Sequence, residues 1–199
     1  MVNPARPFRF SLLWPLVVAT CLTGGVAAGA ERCDRGSFGQ WKQTDHKDTR
    51  AQILVATAIG PVALRTTGNG KFVVESGSWR DAYSGNTYTD VEASRMEIDH
   101  VIPVCWAWKH GAADWNRDRK RAFYNDLTYL MVVEQGLNDQ KSDKGPDEFV
   151  PLWQAGACQY VLLFMQGVKE YGLTLSPAED VAFNASRDAA CGVETALNG

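Results

Sequence analysis

Residues 96–103 read M-E-I-D-H-V-I-P, and the Asp99-His100 pair within them raises a question of chemistry. Only three histidines occur in the 199-residue chain, and one of them sits here beside a carboxylate in an apolar run. An ordinary histidine has a pKa of about 6.5, so near neutral pH much of it can accept a proton. A carboxylate is a hard oxygen ligand for a divalent cation, which keeps positions open for water and phosphate. Phosphodiester hydrolysis needs that combination: water must be deprotonated, phosphate charge neutralised and the leaving oxygen stabilised. The bare dipeptide is weak evidence, because two polar residues also fit the exposed edge of an ordinary strand.

A strand–loop–strand–helix unit would position such a group, with carboxylate and histidine on the first strand and an amide oxygen on the helix. The sequence has the parts. Residues 48–58 predict a short helix that Gly60-Pro61 ends. K-F-V-V-E-S-G-S-W reads as a strand and D-A-Y-S-G-N as a turn. E-I-D-H-V-I-P reads as a second strand, which Pro103 ends or holds at an edge. From Trp106 to Phe123 the pattern turns helical. T-Y-L-M-V-V predicts a strand, and the polar E-Q-G-L-N-D-Q-K-S-D-K a short helix. The last fifty residues predict two helices. The first carries Trp153, Tyr160, Leu163, Phe164 and Val168 as an apolar stripe. The second opens on Ser176-Pro177-Ala178-Glu179, a capping box with proline at the first helical position.

The first thirty residues read differently. Arg6 and Arg9 precede an apolar stretch, and Ala28-Gly29-Ala30 gives the small-x-small pattern of a signal-peptidase site. Residues 1–30 are expected to be a cleaved leader, the protein to be secreted or periplasmic, and residues 31–199 to form a single domain without a membrane anchor. Formal net charge is −3, and losing the two leader arginines leaves 18 basic against 23 acidic side chains, or −5. Such a chain holds a polyanion only through a local basic patch. Outside the leader the cysteines are Cys33, Cys105, Cys158 and Cys191, without a C-x-x-C pair, so two disulfides are a better reading than a zinc-thiolate cluster. Three pairings are open. An antiparallel C-terminal hairpin would favour Cys158–Cys191, which leaves Cys33–Cys105 to tie the N-terminal segment close to His100.

From Trp79 the chain reads W-R-D-A-Y-S-G, then E-I-D-H-V-I-P, A-W-K-H-G-A, R-A-F-Y-N-D and L-N-D-Q-K-S-D-K-G-P-D-E-F-V-P. This order and spacing resembles the secreted branch of the HNH endonucleases, which carry the ββα-metal finger. F-G-Q-W-K-Q-T-D-H-K-D-T-R-A-Q-I-L is similar to the segment that precedes the finger there, and the cysteine-bearing helix pair to an extension of some members. The resemblance implies an α+β fold: a finger at about 95–145 in a mixed, disulfide-braced domain, with a helical extension at about 151–193. It implies that Asp99 and Asn138 bind one divalent ion, magnesium or manganese being expected. It implies that His100 is the general base, with a 5′-phosphate and a 3′-hydroxyl as products. Lys141, one turn after Asn138, would face the same way and meet a phosphate, or remain a solvated surface lysine. One departure stands out. The family usually has an asparagine before the leucine of the second strand, pinning the loop that carries the histidine, and here that residue is Tyr129. Asn125 matches a recurrent family asparagine and is the substitute brace.

N-R-D-R-K-R at 116–121 is the dense basic run. Arg117, Arg119, Lys120 and Arg121 would form a track for the nucleic-acid backbone, with little sequence specificity. Arg50, shared with the family, would meet phosphate or buttress the finger. Glu97 would support the site from behind or be an exposed strand carboxylate. His46 and His110 read as surface residues, and Trp106, Trp108 and Trp115 as core. The expectation is a secreted metal-dependent endonuclease acting on DNA, with RNA as a further substrate. Two alternatives remain: a catalytically degenerate nucleic-acid- or metal-binding module, and a structural envelope protein.

Overall fold

The computed structural model describes Met1 and residues 32–197, with side chains to residue 192, so the expected leader and Cys21 lie outside the described residues. The chain forms short strands β1 (Gln43–Thr44) and β2 (Lys47–Asp48), then helix α1 (Thr49–Thr57). Strands β3 (Ala63–Thr66), β4 (Phe72–Arg80) and β5 (Thr87–Glu92) make an antiparallel sheet in the order β3-β4-β5. Strand β6 (Met96–His100) leads into helices α2 (Val104–Lys109) and α3 (Arg117–Tyr124). Strand β7 (Leu130–Glu134) then pairs antiparallel with β6, and helix α4 (Gln135–Lys141) follows it directly. Helices α5 (Gln154–Glu170) and α6 (Pro177–Leu197) close the chain, and the whole is a mixed α+β fold.

Local chemistry sets most of these boundaries. The Ala51 N–H donates to the Asp48 carboxylate at 2.8 Å and starts α1. The Trp79 indole N–H then donates to the Leu54 carbonyl at 2.8 Å, which holds α1 against β4. The helix expected over 106–123 is two helices. Gly111, at φ 112°, reverses the chain after α2, and Asn116 caps α3 by accepting the Arg119 N–H. In the capping box of α6, the Ser176 N–H donates to Glu179 at 2.8 Å, and the Glu179 N–H donates to the Ser176 hydroxyl at 3.2 Å.

The β6–β7 pair lies between two apolar clusters. Met96, Ile98, Leu130 and Val132 pack with Leu54 and Trp79 on one side. Val101, Ile102, Trp106, Tyr160, Phe164 and Phe183 form the larger cluster under α5 and α6. Alternation along β6 turns Glu97 and Asp99 to the face opposite Met96 and Ile98. Disulfides Cys33–Cys105 and Cys158–Cys191 tie, respectively, the N-terminal segment to α2 and α5 to α6.

Candidate functional site

On β6, Glu97 and Asp99 are two residues apart and share a face; on α4, Asn138 and Lys141 are three apart and share a face. The two pairs meet across the junction. The Asn138 amide N–H donates to Glu97 at 2.5 Å, and the Lys141 ammonium lies 2.8 Å and 3.1 Å from the Asp99 oxygens. Lys141 also donates to the His100 carbonyl at 2.9 Å. The Tyr83 hydroxyl, from the turn after β4, donates to the same Asp99 carboxylate. Asp99 is thus almost wholly buried yet has a cation and a hydroxyl as partners, as a buried carboxylate requires.

His100 is 4% exposed, and its Nε2 lies 2.9 Å from the Tyr124 carbonyl. A carbonyl only accepts, so Nε2 carries the hydrogen and Nδ1 keeps the free lone pair. Trp41 stacks on the ring at 5.4 Å, with planes 6° apart. Burial pushes the His100 pKa down to about 4, against the opposing pull of the Tyr124 carbonyl and Asp99, and the charges of Arg35 and Lys141 add to the lowering. The ring is therefore neutral through the physiological range. Burial likewise lowers the Lys141 pKa, while Asp99 raises it.

Asp99, His100 and Asn138 line one cavity of about 210 Å³, together with Arg35, Asp139 and Asp143. The residues fit a divalent ion to a limited degree. Turning its N–H toward Glu97 fixes the Asn138 amide with its oxygen as the remaining acceptor, and Asp99 Oδ1 has a single partner. That makes two hard oxygen donors, with water to complete the shell. Among the described residues no group of three or more His, Cys, Asp or Glu side chains could hold a metal ion.

Other expected site residues fall elsewhere. Lys141 corrects the expectation of a phosphate contact, being fully buried and committed to Asp99 and the His100 carbonyl. Lys120 is corrected too. Its ammonium turns inward to the Ala113 carbonyl at 2.8 Å and over the Trp108 ring at 4.6 Å, away from a surface track. Arg50 is a buttress, donating to the Ala93 and Met96 carbonyls at 2.8 Å and 2.7 Å. Arg119 is held by the Tyr171 carbonyl at 2.6 Å and lies 4.6 Å over Trp115. Arg117 and Arg121 are exposed. They line a second cavity with residues 37–40, and Arg121 lines a third with Lys42 and Asn125.

The Asn125 side chain makes no hydrogen bond to His100. It accepts from the Lys42 N–H and the Thr49 hydroxyl, both at 2.6 Å, and donates to the Gln40 and Arg121 carbonyls. It thereby fixes the peptide next to the carbonyl that holds the histidine. Tyr129 contributes through its backbone, accepting the Val101 N–H at 2.9 Å, while its side chain packs beneath α5 and donates to Glu170. His110, expected at the surface, is half-buried between the Trp106 carbonyl and Glu179. Tyr83 and Arg35 escaped the sequence reading. Tyr83 had a signal in the D-A-Y-S-G turn, whereas nothing in the sequence near Arg35 marks it.

A relative from Arthroderma benhamiae, described as an uncharacterized secreted protein, is 36% identical over 119 residues. The match covers 59% of this chain, and the chain spans only 57% of the relative's length. Residues 56–176 run from the end of α1 to the start of α6 and carry every cavity-lining residue named above for Asp99 and His100 except Arg35. Over those residues the chain matches the C-terminal domain of GmrSD restriction endonucleases, and it belongs to that family.

Proposed function

We propose that the protein is a secreted, metal-dependent endonuclease of the HNH type that cleaves DNA, with RNA as a further substrate and little sequence specificity. In this reading β6, β7 and α4 are the ββα-metal finger, within about 95–145, inside a single domain of residues 31–199 with α5 and α6 as its extension. The observation that carries it is the placement of Asp99, His100 and Asn138 around one cavity, with the His100 lone pair left on Nδ1. Asp99 and Asn138 would hold one magnesium or manganese ion. When bound, that ion supplies positive charge for the phosphate and the leaving oxygen. His100 Nδ1 takes the proton of the attacking water, while the Tyr124 carbonyl keeps the ring in its tautomer and orientation. Glu97 keeps the Asn138 amide turned with its oxygen to the cavity. Export draws on the leader expected at residues 1–30, the two disulfides and the secreted relative.

A second reading, a binding module without turnover, rests on Lys141. Its ammonium already supplies a positive charge to Asp99, and like charges compete for one carboxylate. A supercoiled-plasmid nicking assay separates the two. Nicking that needs magnesium or manganese, stops in chelator and disappears in His100→Ala is the expected result. DNA retention without fragments in any metal would make the binding module the correct reading.

A further inference from the structure

We propose that Arg35 grips the substrate phosphate at the catalytic cavity and that the Cys33–Cys105 disulfide holds it there; this rests on the nuclease reading above. The cavity that holds Asp99, His100 and Asn138 is lined by three carboxylates, Asp99, Asp139 and Asp143, and by one cation, Arg35. Its lining is formally −2, a poor receptor for a phosphodiester without added positive charge. Lys141 cannot serve as that charge, because it is fully buried and spent on Asp99. Arg35 is exposed, and among the described residues it makes no hydrogen bond or ion pair. Its planar fork of donors suits two phosphate oxygens at once, which a lysine ammonium does not.

The mounting is specific. Arg35 opens the 3-10 turn Arg35–Phe38, which Asp34 caps by accepting the Ser37 N–H. Cys33, two residues earlier, is bonded to Cys105 in the first turn of α2, and Pro103 and Val104 of that same junction line the cavity. Phe38, at the other end of the turn, is fully buried against Trp108 and Phe123. The turn is thus pinned at both ends, with Arg35 between the pins. Its far side, Ser37 and Phe38, lines the cavity that Arg117 and Arg121 share, so the turn also joins the site to the exposed basic residues. Arg35 lies outside residues 56–176, the part matched by the family.

The test uses the oxidised protein, a labelled DNA duplex and magnesium. Arg35→Gln is expected to lower kcat/KM about 100-fold, the usual cost of one donor aimed at developing charge, with its melting temperature unchanged. Arg35→Lys should fall between it and the parent. In a His100→Ala background, Arg35→Gln should reduce the salt slope of DNA binding by about 0.9, one phosphate contact. A Cys33→Ser/Cys105→Ser variant should lose activity too, and adding Arg35→Gln to it should cost nothing further, because both changes remove one interaction. Fully additive losses would overturn the positioning role. A parent that cleaves while Arg35→Gln cleaves within threefold of it, or loses activity only with its melting temperature, would overturn the inference alone. A parent that does not cleave overturns the nuclease reading and the inference with it. The Arg35 variants keep both disulfides, so a cysteine variant that fails to fold leaves their outcome decisive.

Discussion

Burying Lys141 beside Asp99 strips both groups of hydration, and the loss is recovered only while each has the other. Lys141 has no exposed surface, so solvent does not soften the effect of removing it. Lys141→Met would leave Asp99 with the Tyr83 hydroxyl alone and is expected to cost about 3–5 kcal/mol. Asp99→Asn with Lys141→Met removes both charges and should recover a good part of that loss. Urea denaturation reads this directly: the midpoint of Lys141→Met falls with an unchanged slope, and that of the double variant rises back toward the parent. Equal midpoints for parent and Lys141→Met would mean that the pair contributes nothing. The same neighbourhood explains how His100 is held. The Tyr124 carbonyl orients the ring, Asn125 fixes the adjoining peptide, and the Tyr129 carbonyl ties Val101.

At the scale of elements, the α5–α6 hairpin depends on its disulfide and on the capping box that starts α6. Ser176→Ala removes the cap oxygen that the Glu179 N–H donates to and should cost about 1 kcal/mol in thermal unfolding. Burial pushes the Glu179 carboxyl up, but bonds from the Ser176 hydroxyl and N–H and from His110 outweigh it and hold the pKa at about 2. A depressed carboxyl stabilises the fold above its unfolded pKa, near 4.5, and that contribution is lost as pH falls through about 2. The side chain is a quarter exposed, so the contribution is about 1 kcal/mol. The melting-temperature gap between parent and Glu179→Gln should therefore be full at pH 6 and close by pH 2; a gap constant over that range would exclude the linkage. Much of this hairpin is legible in the sequence, because S-P-A-E and an apolar stripe are local signals. So is the junction of Met96–His100 with the helix that holds Asn138. Strand β3 is not: all of Ala63–Thr66 is exposed, so no alternation of apolar residues marks it. The break of the 106–123 segment was written in Gly111 and Asn116, and the dense charge of the run masked it. The burial of Lys120 and the placement of Arg35 arise from tertiary packing that no local pattern encodes.

For the whole molecule, a formally acidic chain must approach a polyanion through a few exposed cations. Arg35, Arg117, Arg121 and Lys42 are exposed, and the cavities they line follow one another along the 3-10 turn and α3. Arg50, Arg119 and Lys120 are withdrawn from that series by the carbonyls they bond. If each of the four meets one phosphate, the slope of log affinity against log salt is about −3.6, and affinity falls by about 150-fold between 50 and 200 mM salt. Arg121→Gln, at the centre of the series, should reduce that slope by about 0.9 and weaken binding alike for unrelated duplex sequences. Arg119→Gln should leave the slope unchanged while lowering the melting temperature, because its guanidinium braces α3 against the Tyr171 carbonyl. Fluorescence anisotropy on the His100→Ala protein, with two duplexes of unrelated sequence at several salt concentrations, measures the slopes, and thermal unfolding measures the melting temperature. A slope that Arg119→Gln reduces as much as Arg121→Gln would place the nucleic-acid path on a different face of α3. A slope near zero would remove the polyanion from the account of this protein.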